Sequence, residues 1–171
     1  MDVYLDDGVI ALRPVSIGDA VPYALFQDAE MWDRFEWGGP ATQEQIGAAM
    51  TRWVQAWECG AGERNFAVLL SDTSEVVGDG EVELRADGLV NVMYVIFVPW
   101  RGNGYAKRVA RLLVGYAAGA FPGSQLVFRI HPDNVASSAV ARAAGAAVVG
   151  QEKSKTGRSL DRWIIDPRTD P

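Results

Sequence analysis

Apolar positions along the chain follow two periods. Runs with strand character fall at roughly 9–13 (VIALR), 65–70 (NFAVLL), 76–84 (VVGDGEVEL), 89–98 (LVNVMYVIFV), 125–130 (QLVFRI), 146–150 and 160–165. Helical spacing fills the intervals. TQEQIGAAMTRWVQAWECG sets Ile46, Ala49, Met50, Trp53 and Trp57 on one face, with Thr42 and Gln45 as a capping box and Gly60 as the stop. A helix over about 104–120 places Tyr105, Val109, Leu112, Leu113, Tyr116 and Ala120 on one side and ends at FPG. A shorter helix spans about 134–144, with Gly145 as its terminator, and the region 14–28 also reads as helical provided Pro22 falls in a first turn or breaks an earlier one.

The resulting order, β-α-α-β-β-β-α-β-α-β-β, predicts an α/β protein built on a mixed sheet of about seven strands with helices on both faces. SDTSE and KSKTGRS read as hairpin loops, and no repeat or linker divides the chain. A length of 171 residues with 49% hydrophobic and 22% charged residues fits a single domain over 1–171. The net charge of −6 argues against a nucleic-acid partner. MDVYLDDGVI carries three acidic residues and no basic one before its apolar run, unlike a signal peptide, and no run approaches the roughly 20 apolar residues needed to span a bilayer. A cytoplasmic protein without membrane contact is expected, and the Ala-, Gly- and Arg-rich composition points to a GC-rich bacterial genome. Cys59 and His131 are each the sole residue of their type, which excludes an intramolecular disulfide and a structural zinc site, so no metal is expected. Cys59, at the end of an apolar helix face, reads as packing.

The chemistry concentrates in FVPWRGNGYAKR. The strand at 89–98 is apolar almost throughout, so it should be central and covered on both faces. It runs into a turn where Gly102 and Gly104 remove side chains just before a helix, whose free N–H groups then converge on one spot. The helix dipole adds about half a positive charge there, and Arg101, Lys107, Arg108 and Arg111 add more within about two turns, a reversal of sign in an acidic chain. The blander reading is a strand-to-helix turn with a solvated basic face. A dinucleotide fingerprint fails, because Lys107 takes the third glycine position and Ser124 the acidic one; no Walker A string exists either. Downstream, Asp133 or Asn134 is able to cap the next helix, with Ser137 as the partner of that cap.

Arg101-Gly102-Asn103-Gly104-Tyr105-Ala106 resembles the Q/R-x-x-G-x-G/A acetyl-CoA signature of the GNAT superfamily of N-acetyltransferases. FRIHPDNVASSAVARAAGA is similar to the second signature of its RimJ/RimL-like branch, in which a strand ends near Asn-x-x-Ser, and IALRPVSIGDA is similar to that branch's first strand and helix. The resemblance covers nearly the whole chain. It implies a GNAT-like fold, acetyl-CoA as cofactor, and direct attack of a primary amine, from a small molecule or a peptide N-terminus, in a ternary complex. It further implies that the backbone of Ile96, Phe97 and Val98 pairs with the pantetheine arm as an added strand. The amides of Arg101, Gly102, Asn103, Gly104, Tyr105 and Ala106 would hold the pyrophosphate, Asn134 the pantetheine, and Ser137 would be the general acid. The branch carries a glutamate ten residues before the position of Arg101, where this chain has Asn91, so the base is unassigned. Glu81, sharing a strand face with Glu83, is the candidate, acting through a water, and Glu36 is another. MWDRFEWGG would roof the acceptor site with Trp32, Phe35, Glu36 and Trp37, or else serve only as a lid on the sheet. His131 reads as structural rather than as the base. The aromatic surface is compatible with a homodimer. The alternative to an enzyme is an acyl-CoA-binding sensor or interaction module that binds without turnover.

Overall fold

The computed structural model describes residues 3–166, so the ends of the expected 1–171 domain lie outside the described residues. Eight strands form one sheet: β1 Leu5–Asp6, β2 Ile10–Pro14, β3 Glu63–Leu70, β4 Val76–Leu84, β5 Val90–Ile96, β6 Leu126–Ile130, β7 Ala147–Lys153 and β8 Ser159–Ile165. Their order is β1-β2-β3-β4-β5-β6-β8-β7, and every neighbouring pair is antiparallel except β5 and β6. The strand beyond the expected seven is β1, whose two residues are too few to show a period. A turn in which the Asp7 carboxylate accepts from the N–H groups of Val9 and Ile10 folds it back onto β2.

Among the described residues five α-helices accompany the sheet: α1 Ala20–Leu25, α2 Ala29–Arg34, α3 Gln43–Glu58, α4 Tyr105–Ala120 and α5 Val135–Ala143. The region 14–28 is a 3-10 turn followed by α1, with Pro22 in the first turn, where its missing N–H costs nothing. The aromatic stretch MWDRFEWGG begins inside α2, a helix of six residues capped by Asp28, which accepts from the Met31 N–H at 3.1 Å. The Thr42–Gln45 capping box starts α3, but Cys59 at its end is exposed rather than packed.

Side chains alternate across the sheet and fill two cores. Phe66, Val68, Val92 and Ile96 face α4 and α5, whereas Ala67, Val95 and Phe97 face α1, α2 and α3. Helices therefore cover both faces. Close packing of α4 on the sheet depends on Gly80, since a Cβ there would stand 2.9 Å from the fully buried Leu113. No described helix is long and apolar enough to cross a membrane.

Candidate active site

The two parallel neighbours part early. Their ladder holds at Val90↔Leu126 and Asn91↔Val127 and then stops, while β5 continues to Ile96 and β6 to Ile130. A wedge opens between them. The Phe97 N–H donates to Val77 O at 2.9 Å, so by antiparallel alternation the odd residues of β5 bond β4, and Val92, Tyr94 and Ile96 turn their backbone groups toward the wedge. Of the expected Ile96, Phe97 and Val98, only Ile96 faces it. Phe97 is also spent on its other side, its carbonyl accepting from the Trp100 N–H at 3.0 Å, and the Val98 carbonyl accepts from the Arg101 N–H at 3.2 Å within a 3-10 turn. Tyr94 is the edge residue that sequence reasoning missed; the alternation needed to find it depends on the hairpin register.

At the mouth of the wedge, Gly102 and Gly104 take φ of 83° and 77°, left-handed angles that disfavour any residue with a Cβ. Nothing lies within 4 Å of where a Cβ would stand at either, so the surface above them is open. Among the described residues, the N–H groups of Gly102, Asn103, Gly104, Tyr105 and Ala106 have no acceptor; the Lys107 N–H is the first taken up, by Gly104 O at 3.2 Å. Asn103 braces the turn from below by donating its amide to Trp100 O at 3.0 Å. Arg101 does not project into this cradle. Its Nε donates to Ile96 O at 2.8 Å, and its guanidinium pairs with Asp28 at 2.6 Å and Glu30 at 3.0 Å, locking the turn to the start of α2. Arg108 is likewise engaged, by Asp7 at 2.8 Å. Arg101 and Lys107 both line the cleft, Arg101 with its guanidinium already paired to Asp28 and Glu30.

This cleft, of about 280 Å³, runs from the turn past Tyr94 and Ile96 to the start of α5. There Asn134 caps the helix, its Oδ1 accepting from the Ser137 N–H at 3.0 Å, so the capping reading holds while both residues also line the cleft. The Tyr94 hydroxyl is buried beside Ser137 and has no partner in hydrogen-bonding geometry. Burial raises its pKa, with the Ser137 side chain acting in the opposite direction.

Through the wedge the cleft continues, past Tyr94, His131 and Ser137, into a cavity of about 870 Å³ on the opposite sheet face. Glu81 lies on that face, between Asn65 and Met93 on the flanking strands. Burial, and then the neighbouring Glu83, Glu63 and Asp79 carboxylates, push the Glu81 carboxyl up to about 8, against a smaller pull from Arg85. Asn91 is committed elsewhere: its Oδ1 accepts from Arg129, whose guanidinium also holds Glu152 at 2.6 Å and Asp87 at 3.2 Å. Phe35 and Trp37, stacked at 5.2 Å, roof the cavity together with Glu36. Glu36 adopts φ 55°, and its Oε1 lies 3.9 Å from His131 Nε2, which donates to Arg34 O at 3.2 Å. Trp32 lines none of these cavities, because Met31 and Phe35 share the inward face of α2 and Trp32 is rotated about 100° from Met31. Arg34–Asp133 at 2.7 Å and Arg158–Asp33 at 3.0 Å tie α2 to α5 and to the β7–β8 hairpin.

A family model described as an acetyltransferase (GNAT) domain matches residues 10–147. No curated protein matches the chain in sequence. Among solved structures, RimL, a ribosomal L7/L12 α-N-protein acetyltransferase in complex with coenzyme A, aligns with 99% of this chain and 100% of its own at 16% identity and a TM-score of 0.82. A ribosomal-protein-S5-alanine acetyltransferase from Vibrio fischeri aligns over 99% and 100% at 17% identity and a TM-score of 0.77. The aminoglycoside acetyltransferase AAC(6')-Ib in complex with coenzyme A aligns over 93% and 95% at 12% identity and a TM-score of 0.74. At these identities the likeness is one of fold.

Proposed function

The chain belongs to the acetyltransferase (GNAT) domain family, with acetyl-CoA as acyl donor and N-acetyl transfer as its chemistry, and on that premise we propose that it acetylates a primary amine held in the large cavity, on a small molecule or a peptide N-terminus. The RimJ/RimL-like branch is the best placement, on the Asn134-x-x-Ser137 motif and the likeness in fold to RimL. The observation that carries the proposal is that two clefts on opposite sheet faces meet at the β5–β6 wedge, with an uncompensated carboxyl on one side and two hydroxyls on the other.

Coenzyme A fits the residues present. Five N–H groups without acceptors, over a surface kept open by two left-handed glycines, suit a pyrophosphate, and the wedge-facing backbone of Tyr94, with the Ile96 N–H beside a carbonyl already taken by Arg101, suits an amide-bearing arm. When bound, acetyl-CoA supplies the thioester carbonyl that the amine attacks.

Glu81 accepts the proton of the attacking amine, directly or through one water. An alkyl amine is almost fully protonated at pH 7, so a carboxyl raised to about 8 is far better matched to it than one near 4.5. Ser137 and Tyr94 hold hydroxyl protons at the inner end of the donor cleft, available to a leaving thiolate. Cys59 lies outside all of these cavities, so the chain offers no thiol for a covalent route, consistent with direct attack.

Calorimetric titration with acetyl-CoA, on the wild type and on Gly104→Asp, tests the donor site; release of free thiol across an amine library tests transfer. Asn91, bound to Arg129 where the branch carries a glutamate, favours the second reading, an acyl-CoA sensor. Binding of acetyl-CoA without thiol release on any amine would establish that reading instead.

A further inference from the structure

Strand β4 carries Asp79, Glu81 and Glu83 at alternate positions, so all three carboxyl groups leave the same sheet face about 7 Å apart in sequence along the strand. Glu83 is neutralised by Arg85 at 2.9 Å. Asp79 and Glu81 have no ion pair among the described residues; the backbone N–H groups of Val95 and of Asp79 itself favour the charged Asp79 carboxyl, but burial outweighs them and its Oδ1 has no partner in hydrogen-bonding geometry. Asp79 lines a separate cavity of about 640 Å³, walled by Tyr23, Ile46, Trp53 and Phe97, which meets the acceptor cavity at Trp37 and Arg52. Gln27, Gln45 and Arg52 also line this cavity, Arg52 lying over the Trp53 ring and making no ion pair with Asp79; a buried carboxyl without an ion-pair partner is costly, and a ligand that brings a cation to it removes that cost.

We propose that the acceptor is a linear aliphatic diamine: one amine reacts beside Glu81 while the second, as an ammonium, sits on Asp79 with its methylenes against Trp53 and Phe97. Extended covalent chains advance about 1.2 Å per bond, so roughly four methylenes match the spacing of the two carboxyls. The carboxyl pKa values agree: burial pushes Asp79 up to about 7 and, with the neighbouring carboxylates, Glu81 up to about 8, as expected of carboxyls with no cation in ion-pair contact.

This inference rests on the acetyltransferase reading, and the test separates the two. Butane-1,4-diamine and butylamine are titrated by calorimetry into the protein loaded with coenzyme A, and both are assayed for thiol release from acetyl-CoA, alongside a tetrapeptide with a free N-terminus. The diamine should bind and react at least about tenfold better than the monoamine, and Asp79→Asn should reduce that ratio to near one. Equal use of the two amines, a preference untouched by Asp79→Asn, or turnover of the peptide alone overturns the diamine site and leaves the acetyltransferase standing. Asp79-dependent binding of the diamine with no thiol release supports the cation site and removes the transfer reading.

Discussion

Replacing Glu81 with glutamine should make the protein more stable at high pH and much less active. The folded state raises this carboxyl from an ordinary 4.5 to about 8, so folding favours its protonated form. Its contribution to stability is therefore fully present below pH 4.5 and is lost as pH rises to about 8, the reverse of a salt-bridged carboxylate. At about 1.4 kcal/mol per pH unit, the ionised group costs the folded state up to about 5 kcal/mol above pH 8. Glu81 lines an open cavity whose water screens the charge, so about 2–3 kcal/mol is the expected share. Urea unfolding of both proteins at pH 5 and pH 9 isolates it, because every other titrating group, Asp79 included, is common to the two. The wild type should lose about 2–3 kcal/mol more than Glu81→Gln between those pH values, while kcat/KM of the variant falls about 10²–10⁴-fold. In the wild type, kcat/KM should climb to a plateau above pH 8. Equal losses in the two proteins would show that the carboxyl is not held up by burial, and a variant within threefold of wild type with the same pH profile would remove Glu81 as the base.

Gly104→Asp places a carboxylate at the amide cradle and should weaken acetyl-CoA binding more than about 100-fold by calorimetry, whereas Gly104→Ala, strained at the same positive φ but uncharged, should retain most of it. Tyr94→Phe and Ser137→Ala should each lower kcat about tenfold with little change in KM for the amine, and the double variant should lose less than the product if the two hydroxyls serve one leaving group. Leu113→Ala, at a fully buried position over Gly80, should cost about 2–5 kcal/mol in urea unfolding without altering the pH profile of the surviving activity.

The elements that carry chemistry were legible because local rules govern them. Thr42 and Gln45 announced α3, and the glycines of RGNGYA announced the start of α4. What escaped were consequences of pairing. Whether Phe97 or Tyr94 offers its backbone to the wedge depends on which strand residue opposes Val77, a register set across a hairpin rather than within a segment. Arg101 and Arg108 read as free charge because their partners, Asp28, Glu30 and Asp7, lie about 70 to 100 residues away. That Trp32 turns away from the cavities that Met31 and Phe35 line could not be read, because α2, at six residues, is too short to declare a face.

The same distinction explains why the base should lie on β4 rather than β5. A carboxylate at position 91 would stand against Arg129, whose guanidinium already reaches 2.9 Å from the Asn91 side chain, and that cation would hold it ionised and weakly basic. Across the ladder, Glu81 faces Met93 and Asn65 and has three carboxyl neighbours against one arginine, an environment that favours the protonated form until the pH approaches that of an amine. Basicity in this cleft is thus set by where the cations are already spent. Arg129 serves Glu152 and Asp87 and Arg85 serves Glu83, and among the carboxyls left without an arginine, Asp79 and Glu81 are the ones that burial pushes toward the protonated form and the cavities place to meet an amine.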